Sequence, residues 1–151
     1  MRKFLVILDS TTECLNAMRF AALRASHTGG GVVILAVIPP EEFNHWIGVA
    51  DIMREEARDR IEAHFKVFSE RMQKEEGISP ELVIREGKVE AEIIDYIQDE
   101  PDVGVLVLGA GTGKEGPGPL INYVLRHSGT LPIPVTVVPG AMSKEAIKAV
   151  A

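Results

Sequence analysis

A glycine-rich segment after the fourth apolar run of the chain has the composition of a phosphate-binding loop. It reads LGAGTGKEGPGPL, from Leu108 to Leu120, with five glycines, two prolines and one lysine. Backbone N–H groups in such a loop can reach phosphate oxygens, because glycine has no Cβ to block them and a helix N-terminus follows. The alternative is a plain flexible turn, since such turns greatly outnumber phosphate loops.

A second chemical candidate is Asp9, which follows the first apolar run, KFLVIL. Its carboxylate can accept hydrogen bonds from ribose hydroxyls or from an adenine amino group. The alternative is local: Asp9 caps the first helix with Ser10 and binds no ligand, since a carboxylate at a helix N-terminus is favourable on its own. Ser10 and Glu13 have the S-x-x-E spacing of a capping box, which predicts that Ser10 caps this helix.

Two common phosphate-binding motifs do not fit the glycine-rich segment. A P-loop requires GxxxxGK[ST], but the glycine–lysine pair here comes one residue early and Glu115 stands where a hydroxyl is needed. Gly111, Gly113 and Gly116 match GxGxxG, but they follow the fourth strand and precede Pro117. No acidic residue ends a strand about 20 residues later, so a dinucleotide fingerprint is rejected.

The elements that must position these residues alternate along the chain. Five apolar, β-branched runs are separated by helical patterns at 13–28, 50–76, 89–99 and 120–128. The second of these helical patterns carries an apolar stripe from Met53 to Met72. Near-continuous apolar strands are typical of a parallel sheet that is covered on both faces. The runs are KFLVIL (3–8), GVVILAVI (31–38), ELVIRE (81–86), VGVLVLG (103–109) and IPVTVVP (133–139).

This alternation predicts an α/β fold: a five-stranded, parallel, doubly wound, Rossmann-like sheet with helices on both faces and right-handed crossovers. The usual order of such a sheet is 3-2-1-4-5. Ligands bind at the carboxyl ends of its strands, where the order reverses, which here is between strands 1 and 4. Asp9 and Gly109 end those two strands and should face each other across the crevice.

Composition and charge restrict the class of protein and its partners. The 151 residues and the net charge of −6 suit one soluble domain and argue against nucleic-acid binding, which needs a basic face. No apolar run approaches the roughly 18 residues of a membrane span, and no signal peptide is recognisable. The single cysteine excludes an internal disulfide, and the four histidines lack metal-ligand spacing. We therefore predict a cytoplasmic protein without a structural metal, with one domain at 1–140 and a C-terminal tail, helical in pattern, at 141–151.

The residues resemble the universal stress protein (UspA-like) family over almost the whole chain. The resemblance is carried, in this order, by FLVILDSTTECLNAMRFAALRA, VVILAVIPP, REGKVEAEIIDYIQDEPDVGVLVLG and YVLRHSGTLPIPVTVVP. It implies the adenine nucleotide α-hydrolase-like version of the predicted fold. ATP-binding members of the family share G-x2-G-x9-G-[ST] after the fourth strand, where the glycines and the hydroxyl hold phosphates and ribose.

Carried over residue by residue, the resemblance implies a nucleotide site. The family's strand-1 aspartate is Asp9, and the backbone position that holds the adenosine at the end of strand 2 is Val37. The first and last glycines of the motif match Gly109 and Gly118. The nucleotide-binding set predicted in this way is Asp9, Ser10, Val37, Gly109, Gly111, Thr112, Gly113, Lys114, Gly118, Pro119 and Leu120.

The loop departs from the family pattern in ways that bear on ATP. Pro119 stands where Ser or Thr is expected, which removes a hydroxyl and an N–H donor. The middle glycine falls on Thr112 or Gly113, and only four residues separate Gly113 from Gly118 where the pattern has nine. In favour of binding, Lys114 can meet a phosphate as a point charge.

Three functions remain open at this point. The first is a universal-stress-type switch or stress-response module that binds ATP with a degenerate phosphate loop, needs Mg²⁺ only when ATP is bound, and hydrolyses ATP slowly at most. The second is a UspA-type protein that binds no nucleotide and acts through dimerisation and unknown protein partners. An enzyme of the wider superfamily ranks last, because the SGGxDS and HIGH-type motifs are absent from the sequence.

The last apolar run is expected at an edge of the sheet, where exposed strands invite pairing. The resemblance implies that this strand pairs with its copy across a two-fold axis and gives a homodimer. The predicted interface includes Val135, Val137 and Val138. Neighbouring prolines limit the length of the pairing; they are Pro132, Pro134 and Pro139.

Two further features have more than one interpretation. Cys14 is predicted to be a small buried residue of the first helix, and the alternative is a reactive thiol of lowered pKa near the helix start. The segment that contains Phe43 and Trp46 is irregular and aromatic. It is interpreted as a lid over the crevice or as a contact for a partner.

Overall fold

The computed structural model describes residues 1–40 and 47–151. Phe43 and Trp46, the predicted lid or partner contact, lie outside these residues. None of the helices within the described ranges has the length and apolarity needed to cross a membrane. The elements, in chain order, are β1 (Lys3–Ile7), α1 (Glu13–Thr28), β2 (Gly31–Ile38), α2 (Ile47–Glu76), β3 (Glu81–Glu86), α3 (Val89–Asp99), β4 (Val103–Ala110), α4 (Pro119–Arg126), β5 (Val135–Pro139) and α5 (Lys144–Val150).

The strands form one parallel sheet in the order β3-β2-β1-β4-β5, which confirms the predicted fold and strand order. Its central strand is β1, in which Val6 lies opposite Ile34 of β2 on one side and Val107 of β4 on the other. The chain winds outward in both directions from this strand. A crevice therefore forms where β1 and β4 diverge into their loops, at the carboxyl ends.

Alternate residues of β1 pack into two apolar layers, one on each face of the sheet. Val6 is fully buried with Ile34 and Val107 under α1, α2 and α5. Leu5 is fully buried on the opposite face, with residues of α3 and α4. Side chains of successive strand residues point to opposite faces, so a strand that is buried on both must be apolar throughout. Burial on both faces of the sheet explains why the run KFLVIL is apolar throughout.

The bounds of α1 are those predicted, but its N-terminal cap is not. The helix begins at Glu13 with Thr12 as its N-cap residue, and no side chain caps it. The capping box of Ser10 and Glu13 was therefore wrong. A capping side chain must stand directly before the helix, and Ser10 lies too far upstream, in the exposed turn that follows β1.

Other boundaries shift by one to three residues. β1 ends at Ile7, so Asp9 lies in the loop beyond the strand, while β4 continues one residue past Gly109. α2 begins earlier than predicted, at Ile47. α4 ends at Arg126 because Ser128–Thr130 form a separate 3₁₀ turn. The apolar stripe of α2 is confirmed, since Ala57 and Met72 are buried and three large side chains between them pack on the core; these are Ile61, Phe65 and Phe68.

The segment after β5 folds back onto α1. The amide Nδ2 of Asn16 donates to the carbonyl oxygens of Pro139, Gly140 and Met142 at 3.1, 3.2 and 3.1 Å, which holds the turn that leads into α5. Ser143 caps α5 by accepting a hydrogen bond from the backbone N–H of Ala146 at 3.1 Å. The helix then buries Ile147 completely in the layer under α1.

We predict that α5 is part of the cooperative fold. Ile147→Ala should lower the free energy of unfolding by about 3 kcal/mol, because it removes a fully buried side chain and leaves a cavity. The matched control is Val150→Ala, a similar truncation in the same helix at a residue that is 65% exposed, for which the change should stay within about 0.5 kcal/mol. Urea denaturation followed by circular dichroism measures both. Equal small effects would mean that α5 does not contribute to the folded core.

Candidate functional site

A cavity of about 290 Å³ opens at the carboxyl ends of β1 and β4, at the point where the strand order reverses. Its floor is apolar and is formed by the ends of the two strands and the first turns of α1. Its sides come from the end of β2, the start of α3 and the start of α4. The lining residues used below are Asp9, Thr11, Glu13, Cys14, Val37, Gly109, Gly118, Pro119, Leu120 and Ile121.

The structure divides the predicted nucleotide-binding set into two groups. Six of its members line this cavity; they are Asp9, Val37, Gly109, Gly118, Pro119 and Leu120. The other five lie outside the lining; they are Ser10, Gly111, Thr112, Gly113 and Lys114. Lys114, the proposed point charge, is exposed to solvent. Three polar residues of the lining were not predicted to belong to the site; they are Thr11, Glu13 and Cys14. Glu13 could have been found from its position shortly after strand 1, but its side chain was interpreted as part of a capping box.

Asp9 borders the cavity from a tight turn. Its Oδ1 accepts hydrogen bonds from the backbone N–H of Thr11 at 2.9 Å and from the Thr11 hydroxyl at 2.5 Å. Aspartate often closes such turns by bonding to the backbone two residues ahead. These contacts explain the residue without a ligand, and they also orient its carboxylate beside the cavity. The alternative that Asp9 caps α1 was wrong, since no side chain caps this helix, whereas the nucleotide interpretation is compatible with this geometry.

The first half of the glycine-rich loop is filled by protein atoms. A Cβ on Gly109 would clash with the carbonyl oxygen of Glu13 in α1. A Cβ on Gly111 would lie 3.1 Å from Oε1 of Glu13, and one on Gly113 would lie 2.8 Å from Oε2 of Glu115. The missing Cβ at these three positions therefore leaves room for other parts of the chain: the backbone of α1 at Gly109, and a glutamate carboxylate at both Gly111 and Gly113.

Hydrogen bonds within the loop use backbone donors that a phosphate would need. The N–H of Gly111 donates to the carbonyl of Pro117 at 2.9 Å, and the N–H of Gly116 donates to the carbonyl of Gly113 at 3.2 Å. The loop thus closes on itself between residues 111 and 117. A phosphate loop instead points its N–H groups at the ligand.

The second half of the loop is open. Gly116 and Gly118 have positive φ angles of 90° and 120°, and a Cβ on either would meet nothing within 4 Å. Gly118 is the N-cap residue of α4 and Pro119 follows as its first residue, where the missing N–H costs no helical hydrogen bond. The first amides of a helix have no intrahelical partner, and Leu120 and Ile121 in this turn line the cavity. This end of the cavity can offer N–H groups to an anion.

Cys14 lies in the cavity floor as a neutral thiol. Its Sγ contacts the carbonyl oxygen of Ile7 at 3.5 Å, and burial raises the pKa of the thiol to about 11. The alternative of a reactive thiol with a lowered pKa was wrong, because loss of solvent outweighs the effect of the nearby helix start. Within the described part of the chain, His, Cys, Asp and Glu side chains nowhere form a group of three that could hold a metal ion.

The predicted dimer residues lie on β5, at one edge of the sheet. Val137 is 42% exposed, whereas Val138 is 2% exposed and belongs to the protein's own core. Val135 is half-buried against the layer of α3 and α4. Of the three, only Val137 offers a clearly exposed apolar side chain, and Val138 could contribute only its backbone to strand pairing.

Comparison with known proteins gives a family model and several solved structures. The model of the universal stress protein family matches residues 1–139. The universal stress protein UspA from Lactobacillus plantarum superposes with a TM-score of 0.75 at 20% identity, over 91% of this chain and 97% of that one. A search of curated proteins gave no match.

Two similar structures contain a nucleotide according to their descriptions. One is the universal stress protein from Archaeoglobus fulgidus in complex with dAMP, with a TM-score of 0.61, 20% identity, and coverage of 91% of this chain and 98% of that one. The other is a universal stress protein in complex with cAMP, with a TM-score of 0.67, 17% identity, and coverage of 93% and 98%. At these identities the likeness establishes the fold and leaves ligand binding by this chain to be argued from its own residues.

We predict that Gly109 is needed for the packing of α1 on β4. Gly109→Ala should lower the free energy of unfolding by about 2 kcal/mol, because the new methyl group must push away backbone of the first turn of α1. The matched control is Gly104→Ala in the same strand, where the methyl group would sit 3.5 Å from Cδ of Arg2, an ordinary contact. Urea denaturation of both variants measures the difference. A Gly109 variant as stable as the Gly104 variant would contradict this explanation.

Proposed function

The chain belongs to the universal stress protein family, and on that premise we propose that it binds an adenine nucleotide in the cavity between β1 and β4. The observation that supports this most directly is the position of the cavity at the reversal of strand order, with Asp9 and Val37 on its wall. ATP, with Mg²⁺ when ATP is bound, is the ligand that the sequence resemblance implies. The role that fits is a cytoplasmic nucleotide-dependent switch or stress-response module, with slow ATP hydrolysis at most.

The backbone of Val37 is suited to recognise the adenine edge. Leu35 accepts a hydrogen bond from the N–H of Leu8, so its carbonyl points toward β1. Backbone groups two residues apart in a strand point the same way, so those of Val37 also point toward β1. Because β1 ends at Ile7, they face the cavity beyond the end of that strand. One N–H and one C=O side by side match the donor and acceptor pattern of adenine.

The remaining parts of the nucleotide have matching positions on the wall. The carboxylate of Asp9 can accept hydrogen bonds from ribose hydroxyls. The open turn from Gly118 into α4 can receive phosphate through backbone N–H groups. A ligand placed in this way would contact the ends of β1 and β2 and the start of α4 at once. It would stabilise the arrangement of these elements by an amount that grows with the logarithm of ligand concentration over Kd. A switch requires in addition that the ligand bind one arrangement more tightly than another.

We predict that Asp9→Asn abolishes nucleotide retention without unfolding the protein. An asparagine oxygen can still accept the two hydrogen bonds from Thr11, so stability should change by less than about 1 kcal/mol. The lost carboxylate should weaken adenine nucleotide binding at least about tenfold, because a hydrogen bond to a charged acceptor is replaced. Mass spectrometry of small molecules released by acid from freshly purified protein, followed by calorimetric titration, measures this.

Thr11→Val is the matched control for that experiment. It removes the hydroxyl that contacts Asp9 and keeps the carboxylate, so nucleotide affinity should change by less than about threefold. If both variants lost affinity equally, Asp9 would act only by holding the turn. If wild-type protein released no nucleotide and gave no heat with ATP or AMP, the cavity would not be a nucleotide site.

The second candidate function is that of a dimeric protein that binds no nucleotide and acts through protein partners. The packed first half of the glycine-rich loop favours it, since a phosphate cannot use those glycines. The exposed Val137 on the edge strand β5 favours a contact between copies there. Dimerisation through β5 is compatible with nucleotide binding as well, because the edge strand does not line the cavity.

We predict that the protein is a dimer at micromolar concentration and that Val137→Glu makes it a monomer. The charge would be placed on the apolar edge strand, and a buried, unpaired carboxylate is costly in an interface. Val67→Glu is the matched control, since Val67 is 58% exposed on α2. Sedimentation velocity distinguishes the states. A monomeric wild type, a Val137→Glu variant that stays dimeric, or a Val67→Glu variant that becomes monomeric would contradict pairing through β5.

A further inference from the structure

We propose that Glu13 restricts the cavity to adenine nucleotides with a single phosphate and discriminates against ATP. The inference rests on the proposed function, because it concerns the ligand of the same cavity. It follows from three observations: the position of the Glu13 side chain, the charge of the cavity wall, and the backbone donors that remain available.

The carboxylate of Glu13 lies where the second and third phosphates of ATP would have to pass. Glu13 is the first residue of α1 and lines the cavity. Its backbone packs on Gly109, and its Oε1 would be 3.1 Å from a Cβ on Gly111. The side chain therefore occupies the face of the loop that leads from the cavity toward residues 111–115. Its Oε2 accepts a hydrogen bond of 3.4 Å from the Thr12 hydroxyl, which helps to hold it there.

The charge of the wall favours a ligand with few negative charges. Among the described residues that line the cavity, Asp9 and Glu13 are acidic and none is basic. Lys114 is exposed and lies outside the lining, so it does not offset them there. At a separation of about 6 Å, each additional phosphate charge should cost roughly threefold to tenfold in affinity, depending on solvent exposure.

The backbone donors that border the cavity suffice for one phosphate group. The N–H groups of Gly111 and Gly116 are used within the loop, and Pro119 has none. Of the cavity-lining residues from 117 to 121, Pro117 and Pro119 have no N–H, so the donors beside the cavity are those of Gly118, Leu120 and Ile121. A single phosphate at this turn would sit at the helix N-terminus with little contact to Glu13. A triphosphate would extend from there into the carboxylate.

The experiment is a calorimetric titration of the full chain with AMP, ADP and ATP, in EDTA and in excess Mg²⁺, at low and at high KCl. Wild-type protein should bind AMP at least about tenfold more tightly than ATP in EDTA, and the ratio should shrink at high salt as the repulsion is screened. Glu13→Gln keeps the shape of the side chain and should tighten ATP binding roughly tenfold, while AMP affinity changes by less than about threefold. Glu100→Gln, beside the amino ends of β1 and β4 and so at the other end of these strands from the cavity, removes the same charge and should leave the ratio unchanged.

The possible outcomes separate the two proposals. If wild-type protein binds AMP and ATP equally, Glu13 does not select the ligand, while adenine nucleotide binding stands. If ATP with Mg²⁺ binds better than AMP and Glu13→Gln weakens it, the carboxylate recruits the metal and the inference is overturned. If Glu100→Gln changes the ratio as much as Glu13→Gln does, the effect belongs to net charge and Glu13 has no special role. If neither AMP nor ATP binds to wild type or variants, the proposed function fails and the inference fails with it.

Discussion

The close approach of α1 to β4 at Gly109 determines the geometry of the whole candidate site. The carbonyl oxygen of Glu13 occupies the space where any other residue would carry its Cβ. This contact brings the first turn of α1 over the end of β4, forms the floor of the cavity and places the Glu13 side chain on the glycine-rich loop. The turn at Asp9 connects β1 to the helix across a short span, so its carboxylate is carried to the rim of the same cavity.

Most of the fold could be predicted because it depends on strong periodic signals. β1, β2 and β4 are apolar throughout, since both faces of the sheet are covered, and the alternation with helices leaves few possible topologies. The location of the site at the ends of β1 and β4 follows from that topology. The cap of α1 was wrong for a different reason. An S-x-x-E pattern specifies a spacing only, and Ser10 lies in the turn at Asp9 and Thr11, upstream of the N-cap position at Thr12.

The details of the loop could not be predicted, because glycine serves several physical purposes that look identical in a sequence. Gly109 is required by helix packing, and Gly111 and Gly113 lie against carboxylates. Gly116 and Gly118 are required by positive φ angles. Only tertiary structure shows which glycine faces a ligand and which faces the chain itself. Glu13 was missed for the same reason, since its distance from the loop in sequence hides their contact.

A glycine-rich loop is useful for phosphate binding only where the missing Cβ leaves space next to free N–H groups. Space is missing at Gly109 and Gly111, where atoms of Glu13 lie against the backbone, and the N–H of Gly111 is bonded within the loop. Both conditions can hold at the start of α4. The shortened loop is therefore compatible with the proposed nucleotide binding: closing the first half would remove the places for distal phosphates and leave the proposed adenine, ribose and single phosphate positions intact. Under the proposed role of Glu13, a family member would change its ligand through one loop and one glutamate, while the sheet that positions them stays the same.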